Sequence, residues 1–168
     1  MGTESHRAAA GQRSIGLAVF TLSDTRTPQT DTSGQAIREL AEAEGHSVVL
    51  QQIVPDDGDQ IRAALQEAVA HSDVLAILLT GGTGLSRRDA TYEALVGMLE
   101  RRLEGFGELF RMLSYQEIGS AAMLSRAVAG TIQAKVVFAM PGSTHAVRLA
   151  MTKLILPELS HLVWEMQR

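Results

Sequence analysis

One continuous apolar run, residues 74–79, constrains the fold of this chain more than any other stretch. It reads Val-Leu-Ala-Ile-Leu-Leu, whereas a strand with one solvated face would alternate apolar and polar residues. A run of this kind is typical of a strand covered on both faces, as in a parallel sheet between layers of helices. Gly81, Gly82 and Gly84 follow directly. Because glycine adopts positive φ readily and lets a ligand approach the backbone, this loop is a candidate anion site.

Strand and helix patterns alternate on either side of this run. Strands are predicted at 15–22, 47–54, 127–131 and 135–140, and helices at 34–44, 59–69, 91–99, 109–118, 143–156 and 157–164. The alternation predicts a doubly wound α/β domain, with an antiparallel excursion formed by the last two strands. The charged stretch 100–104 and the run Gly105-Phe106-Gly107-Glu108 are expected to connect helices. We expect residues 1–14 to form a loose, flexible N-terminal tail and residues 15–168 a single domain.

Composition excludes several classes of protein. The 168 residues include no cysteine, so disulfides, thiolate metal sites and cysteine nucleophiles are excluded. A net charge of −4 and an aromatic content of 4% disfavour a nucleic-acid partner. No apolar run approaches the roughly 20 residues that span a bilayer, and the polar N-terminal stretch lacks the apolar centre of a signal peptide. We therefore expect a cytoplasmic protein without a membrane partner.

Three predicted strands end in loops that are suited to anions. These loops are Ser23-Asp24, Thr80 to Gly84, and Pro141-Gly142-Ser143. In an open parallel sheet such strand ends lie on one edge, and ligands bind in the crevice outside them. Ser143 either caps the helix that follows or adds a hydroxyl to a phosphate site at the start of that helix. The sequence therefore predicts one pocket that the three loops share.

Two aspartates are candidate cation ligands at this crevice. Asp89 follows the glycine loop and Asp56 follows the second strand, and Mg²⁺ is usually held by one or two carboxylates together with substrate phosphates. The alternatives are that Asp89 or Thr91 caps the next helix and that Asp56 belongs to an ordinary turn. The glycine loop lacks a Gly-Lys-Ser/Thr ending and a third dinucleotide-type glycine, which excludes a Walker-type loop and a dinucleotide-binding fingerprint.

Arginines must supply positive charge locally, because the chain as a whole is acidic. Arg87 and Arg88 follow the glycine loop after Leu85 and Ser86 and can add charge to it. Arg111, Arg126 and Arg148 either reach the pocket or cover helix faces, and the sequence leaves both alternatives open.

Taken together, these segments resemble the MoaB/MogA family of molybdenum cofactor biosynthesis proteins, whose fold also occurs in the G domain of gephyrin. The resemblance extends from Ile15 to Glu165 and is closest to the MoaB branch. It is carried by Ser23-Asp24, Asp31 to Gly34, Pro55-Asp56, Thr80 to Thr91, Gly105 to Glu108, Leu124 to Arg126, and Pro141 to Ser143. It implies a three-layer αβα sandwich with a mostly parallel central sheet.

The resemblance also implies a function. Adenylyltransferase members of the family bind molybdopterin and ATP and transfer AMP to molybdopterin, with Mg²⁺ present and pyrophosphate released. We expect this activity in a homo-oligomer, either a trimer or a hexamer; the alternative is a noncatalytic molybdopterin or nucleotide carrier. Carried over by position, Asp56 and Asp89 would be catalytic and bind Mg²⁺. The nucleotide and the pterin would contact Ser23, Asp24, Thr80, Gly81, Gly82, Thr83, Gly84, Ser86, Arg88, Glu108, Pro141, Gly142 and Ser143.

Overall fold

A central six-stranded sheet organises the protein, for which a computed structural model describes residues 13–168. The strands are β1 (Gly16–Leu22), β2 (Ser47–Val54), β3 (Ala76–Thr80), β4 (Arg101–Arg102), β5 (Val128–Ile132) and β6 (Lys135–Met140). The predicted tail, residues 1–14, lies outside the described residues except for Arg13 and Ser14, which belong to no helix or strand.

Helices connect most of the strands. They are α1 (Thr32–Ala43), α2 (Gly58–Ala70), α3 (Thr91–Val96), α4 (Glu104–Ile118), a 3₁₀ segment (Gly119–Leu124), α5 (Thr144–Ala150), a π-helical segment (Met151–Ile155) and α6 (Leu156–Met166). Among the residues that the structure describes, no helix combines the length and apolarity needed to cross a membrane.

The strand order is β2-β1-β3-β6-β5-β4, and the first four strands run parallel to one another. β5 is antiparallel to β6, and β4 is antiparallel to β5, so the predicted antiparallel excursion is confirmed. In the parallel part, Leu22 pairs with Val54, while Thr80 pairs with both Thr21 and Met140. The carboxyl ends of all four parallel strands therefore meet at one edge of the sheet.

Helices cover both faces of this sheet. Leu78 and Phe138 point to one face, where they pack in a core with α1, α4, α5 and α6. Ile77 and Val137 point to the other face, where they pack in a second core with α2 and α3. Burial of alternate residues in two different cores explains why residues 76–79 of β3 and 136–140 of β6 are all apolar. The predicted three-layer αβα arrangement is confirmed.

The start of α4 differs from the prediction, because the helix begins at Glu104 and includes the Gly-Phe-Gly-Glu run that was expected to be a loop. Phe106 and Phe110, one helical turn apart, are both buried, and the Phe106 ring lies 5.1 Å from that of Phe138. Gly107 allows a close approach, since a Cβ there would lie 2.7 Å from the Ala127 carbonyl oxygen. Packing of the two rings thus outweighs the low helix propensity of glycine.

The C-terminal helices are also arranged differently from the expectation of one helix ending at residue 156 and another beginning at Pro157. The chain winds from α5 through the π-helical segment into α6, and the Leu156 N–H donates to the Met151 carbonyl five residues earlier. Pro157 lies in the first turn of α6, directly after this π-helical segment. Met151, Ile155 and Leu159 are fully buried against the sheet on either side of this transition.

Candidate functional site

The glycine loop leaves β3 with two successive left-handed residues, Gly81 at φ 105° and Gly82 at φ 61°. The Gly81 N–H donates to the Met140 carbonyl at 3.0 Å, which ties the loop to the end of β6. The buried Thr91 hydroxyl donates to the Gly81 carbonyl at 2.9 Å, and the Thr91 N–H donates to the Gly82 carbonyl at 3.2 Å. The loop conformation is therefore fixed from both β6 and the first residue of α3.

The turn after β6 lies directly beside this loop, since a Cβ on Gly142 would be 3.2 Å from the Gly81 Cα. The Ser33 hydroxyl donates to the Gly142 carbonyl at 2.6 Å, and the Thr80 hydroxyl donates to the Pro141 carbonyl at 3.1 Å. The Ser143 hydroxyl accepts from the Ala146 N–H at 3.1 Å and thus caps α5. The capping interpretation of Ser143 is confirmed, and its contact with a ligand stays a prediction.

A cavity of about 380 Å³ opens between these loops and α4, within the size range of small-molecule sites. Its polar wall consists of loop residues: Gly81, Gly82, Thr83, Gly84, Asp89, Pro141, Gly142 and Ser143. The opposite wall comes from α4, the 3₁₀ segment and α5, and it includes Phe110, Ile118, Ala122 and Leu124. A cavity with one wall of backbone polar groups and one apolar wall suits a ligand that combines a flat ring with an anionic group.

Asp89 contributes a carboxylate to the polar wall of the cavity. Its Oδ2 accepts from the Ser86 N–H at 2.7 Å, and its own N–H donates to the Ser86 carbonyl at 2.9 Å. The N-cap position of α3 belongs to Ala90, and neither Asp89 nor Thr91 caps that helix, so this alternative is wrong. Asp89 instead closes a local turn while it faces the cavity.

Asp56 reaches the back of the same loop from the end of β2. Its Oδ1 accepts from the Ala90 N–H at 3.1 Å, and its own N–H donates to Asp24 Oδ1 at 3.1 Å. Burial raises the pKa of Asp56, and the nearby carboxylates of Asp89 and Asp24 raise it further, although the hydrogen bond from Ala90 opposes them. A bound cation would relieve this crowding of negative charge.

These residues fit a magnesium ion only as part of its coordination shell. Within residues 13–168, no group of three or more His, Asp or Glu side chains is arranged to hold a metal ion. Mg²⁺ commonly takes one or two protein carboxylates and completes its octahedron with water and substrate phosphates. Asp89 lines the cavity and is suited to that partial role, whereas Asp56 lies behind the glycine loop and is absent from the cavity wall.

The remaining candidates lie at varying distances from the cavity. Ser23 accepts from the backbone N–H groups that follow it, and Ser86 accepts from the Arg88 N–H at 3.3 Å, so both serines stabilise turns. Arg88 is exposed near the rim of the glycine loop. Glu108 is exposed on α4 and is absent from the cavity wall, which receives Phe110 and Ser114 from that helix. The predicted site residues that do not line the cavity are Ser23, Asp24, Asp56, Thr80, Ser86, Arg88 and Glu108.

Three residues that hold the loops in place were missing from the predicted site. Ser33 and Thr91 bind the carbonyls described above, and Arg126 donates to the carbonyls of Thr83 and Gly84. The sequence suggests Thr91 only as a helix cap. The segments that contain Ser33 and Arg126 belong to the family resemblance, and Arg126 is also one of the arginines for which the sequence leaves contact with the pocket open.

Comparisons with known proteins agree with this architecture. Residues 18–161 match the family described as "Probable molybdopterin binding domain". The chain is 52% identical over 166 residues to molybdenum cofactor biosynthesis protein B of Halalkalibacterium halodurans, covering 98% of this chain and 97% of that protein. A crystal structure of molybdenum cofactor biosynthesis protein B superposes with a TM-score of 0.92 at 52% identity, covering 94% of this chain and 99% of that one. The tungsten cofactor synthesizing protein MoaB from Pyrococcus furiosus superposes with a TM-score of 0.84 at 36% identity, covering 93% of this chain and 99% of that one.

Proposed function

Because the chain belongs to the molybdopterin-binding domain family that includes MoaB proteins, we propose that it acts in molybdenum cofactor biosynthesis and binds molybdopterin. The observation that carries this proposal is the cavity between the glycine loop and α4, where backbone groups face an apolar wall. The pterin ring would lie against the apolar wall, formed in part by Phe110 and Leu124, and anionic groups would lie against the loops. The proposed location is the cytoplasm, in keeping with ATP as the second substrate.

The proposed reaction is Mg²⁺-dependent transfer of AMP from ATP to molybdopterin. An oxygen of molybdopterin would form a bond to the α-phosphorus of ATP, and the bond from that phosphorus to the bridging oxygen would break, releasing pyrophosphate. Nucleotidyl transfer of this kind depends mainly on positioning and charge neutralisation rather than on a protein nucleophile. The absence of cysteine from the sequence is compatible with such chemistry.

Each part of the site would have a distinct task in this reaction. The N–H groups of Gly82, Thr83 and Gly84 and those of the Ser143 turn would orient phosphate oxygens. Asp56 and Asp89 would hold Mg²⁺, which neutralises phosphate charge when it is bound. The raised pKa of Asp56 supports this assignment, because its causes include two neighbouring carboxylates that a cation would offset.

The position of Asp56 favours a second candidate function, a noncatalytic molybdopterin or nucleotide carrier. The resemblance assigns Asp56 to catalysis and Mg²⁺ binding, yet this side chain is absent from the wall of the cavity. A carrier would use the same loops for binding and would not need the full set of catalytic groups.

An adenylylation assay separates the two functions. Wild-type protein supplied with molybdopterin, ATP and Mg²⁺ should release pyrophosphate, and Asp89→Asn should lower turnover by about two orders of magnitude or more because the cation loses a charged ligand. The asparagine can still accept the Ser86 N–H, so calorimetric affinity for ATP should change little. Asp59→Asn is the matched control, since Asp59 is almost fully exposed on α2. Binding of both substrates without pyrophosphate release would establish the carrier, and the absence of binding would refute both proposals.

We also propose that the protein is a homo-oligomer, either a trimer or a hexamer. The support is an apolar surface of large, exposed side chains on α4 and the 3₁₀ segment: Leu109, Met112, Tyr115, Ile118, Met123 and Leu124. Contiguous exposed apolar surface of this kind is typical of interaction sites. Because Ile118 and Leu124 also line the cavity, association through this surface would take place next to the proposed site.

A further inference from the structure

Arg126, which lies just before β5, reaches the glycine loop through several hydrogen bonds. Its Nη2 donates to the Gly84 carbonyl at 2.5 Å, and its Nε donates to the Thr83 carbonyl at 3.4 Å. The backbone N–H of Arg126 donates to the same Thr83 carbonyl at 3.2 Å. A longer contact of 3.5 Å joins Nη2 to the Asp89 carbonyl. One side chain thus binds both ends of the segment between Thr83 and Asp89.

The first turn of α3 fixes the Arg126 guanidinium from the other side. Its Nη1 forms an ion pair with the Glu93 carboxylate, and its central carbon lies 4.8 Å from the centre of the Tyr92 ring. The Arg126 side chain is only 23% exposed, compared with 63% for Glu93. Because the guanidinium is planar and rigid, these contacts restrict the directions in which it can donate to the loop.

Arg126 holds the loop from behind the cavity. In a trans peptide the C=O of one residue and the N–H of the next residue point in opposite directions. Because the carbonyls of Thr83 and Gly84 face Arg126, the N–H groups of Gly84 and Leu85 point away from Arg126. Thr83 and Gly84 line the cavity, whereas Arg126 lines a separate depression of about 300 Å³ together with Tyr92 and Arg111. Arg126 therefore acts on the cavity through the loop backbone.

We propose that Arg126 is a positioning residue that keeps the Thr83–Asp89 segment in its phosphate-binding conformation. A ligand that binds only this conformation has an apparent affinity reduced by the fraction of molecules that adopt it. Loss of Arg126 would lower that fraction before the substrate arrives, while a bound substrate would restore the conformation. The kinetic part of this inference rests on the proposed function, but the order of the loop in the ligand-free protein does not.

Lys135 provides a matched control for this inference. It is also a buried cation that donates to two backbone carbonyls, but its targets are His71 and Val74, away from the glycine loop. Replacing either Arg126 or Lys135 by methionine removes a charge and at least two hydrogen bonds to carbonyls. Only the Arg126 substitution should affect the glycine loop selectively.

Amide hydrogen exchange on the ligand-free protein tests the inference directly. In Arg126→Met we expect the hydrogen-bonded amides of this segment, those of Ser86, Arg88 and Asp89, to exchange roughly tenfold faster or more, given the strength of hydrogen bonds to a charged donor. Arg126→Lys keeps one charged donor and should show an intermediate rate, and it serves as the test if the methionine variant fails to fold. Lys135→Met should leave these amides unchanged. Loop exchange within about twofold of wild type in the Arg126 variants, or an equal increase in Lys135→Met, would overturn the proposal.

Kinetics add a second test that distinguishes positioning from catalysis. Arg126→Met should raise KM for ATP or molybdopterin about tenfold while kcat stays within about threefold, because saturating substrate restores the loop. Partial recovery of KM is expected in Arg126→Lys. A fall in kcat with unchanged KM for both substrates would contradict the positioning role. A wild-type protein without AMP transfer would refute the proposed reaction alone, and the exchange experiment would still decide the role of Arg126.

Discussion

Gly82→Ala is the substitution for which the structure gives the most definite expectation. Gly82 has a φ of 61°, and an added Cβ would lie 2.8 Å from Asp56 Oδ1 and closer still to Thr91 Oγ1. The Thr91 hydroxyl cannot rotate away freely, because it is buried and donates to the Gly81 carbonyl. The alanine methyl group would therefore displace α3, Asp56 or the loop itself.

The magnitude follows from two separate terms. The left-handed conformation costs a residue with a Cβ roughly 1–2 kcal/mol, and overpacking a rigid site adds about 1–3 kcal/mol. We therefore expect Gly82→Ala to lower the free energy of unfolding by about 2–5 kcal/mol. Gly45→Ala is the matched control, since Gly45 has a φ of 83° but no atom within 4 Å of an added Cβ. Its expected loss is the strain alone, about 1–2 kcal/mol.

Equilibrium unfolding in urea measures both variants on the same scale. The difference between them isolates the steric term, and a double-mutant cycle with Thr91→Ala should reduce that term, because the closest obstructing atom is removed. The reasoning is refuted if Gly82→Ala is as stable as Gly45→Ala. It also fails if the cost of Gly82→Ala is the same with and without the Thr91 hydroxyl.

Two further predictions concern charge and assembly. The pKa of Asp56 in the folded protein is raised above its ordinary value of 3.8. Between the two pKa values the folded protein still holds a proton that the unfolded chain has lost, so this carboxyl lowers the free energy of unfolding as the pH rises through that interval. Asp56→Asn should therefore gain stability relative to wild type as the pH rises from roughly 3 to 7. If urea unfolding gives the same pH dependence of the unfolding free energy for both proteins, this prediction is wrong. Met112→Glu places a charge on the exposed apolar surface of α4 and should lower the molar mass measured by light scattering, whereas Gln66→Glu on α2 should leave it unchanged. An unaltered molar mass for Met112→Glu would show that the apolar surface of α4 does not form the oligomer interface.

Much of the fold is predictable because its strands carry a strong signal. β3 is apolar except for Thr80 at its end and β6 except for Lys135 at its start, and both lie in the middle of the sheet, where both faces are covered. β4 lacks this signal, since its two exposed arginines join the sheet only by pairing with β5. The start of α4 could not be predicted for a different reason. Its glycines suggest a loop, and the Phe106 ring that stabilises the helix packs against Phe138 of β6, which is distant in the sequence.

The site was predictable at the level of loops and not at the level of the bonds that hold them. Parallel pairing brings the strand ends to one edge, so the convergence of the glycine loop and the Ser143 turn follows from the sheet itself. The bonds from Ser33 to Gly142 and from Arg126 to Gly84 span 109 and 42 residues, and both end on backbone carbonyls. A carbonyl is present at every position, so these targets leave no pattern in the sequence.

The π-helical segment before α6 determines which residues of the C-terminal helix face the sheet. Buried residues recur there at intervals of four, at Val147, Met151, Ile155, Leu159 and Val163. An α-helix advances about 100° per residue, so such a row drifts by about 40° per step and by about 160° from the first residue to the last. A π turn winds through a smaller angle per residue and offsets part of this drift. Removing one residue from Met151–Ile155 would rotate Leu159 and Val163 away from the sheet, so the length of this segment is constrained although none of its residues lines the cavity.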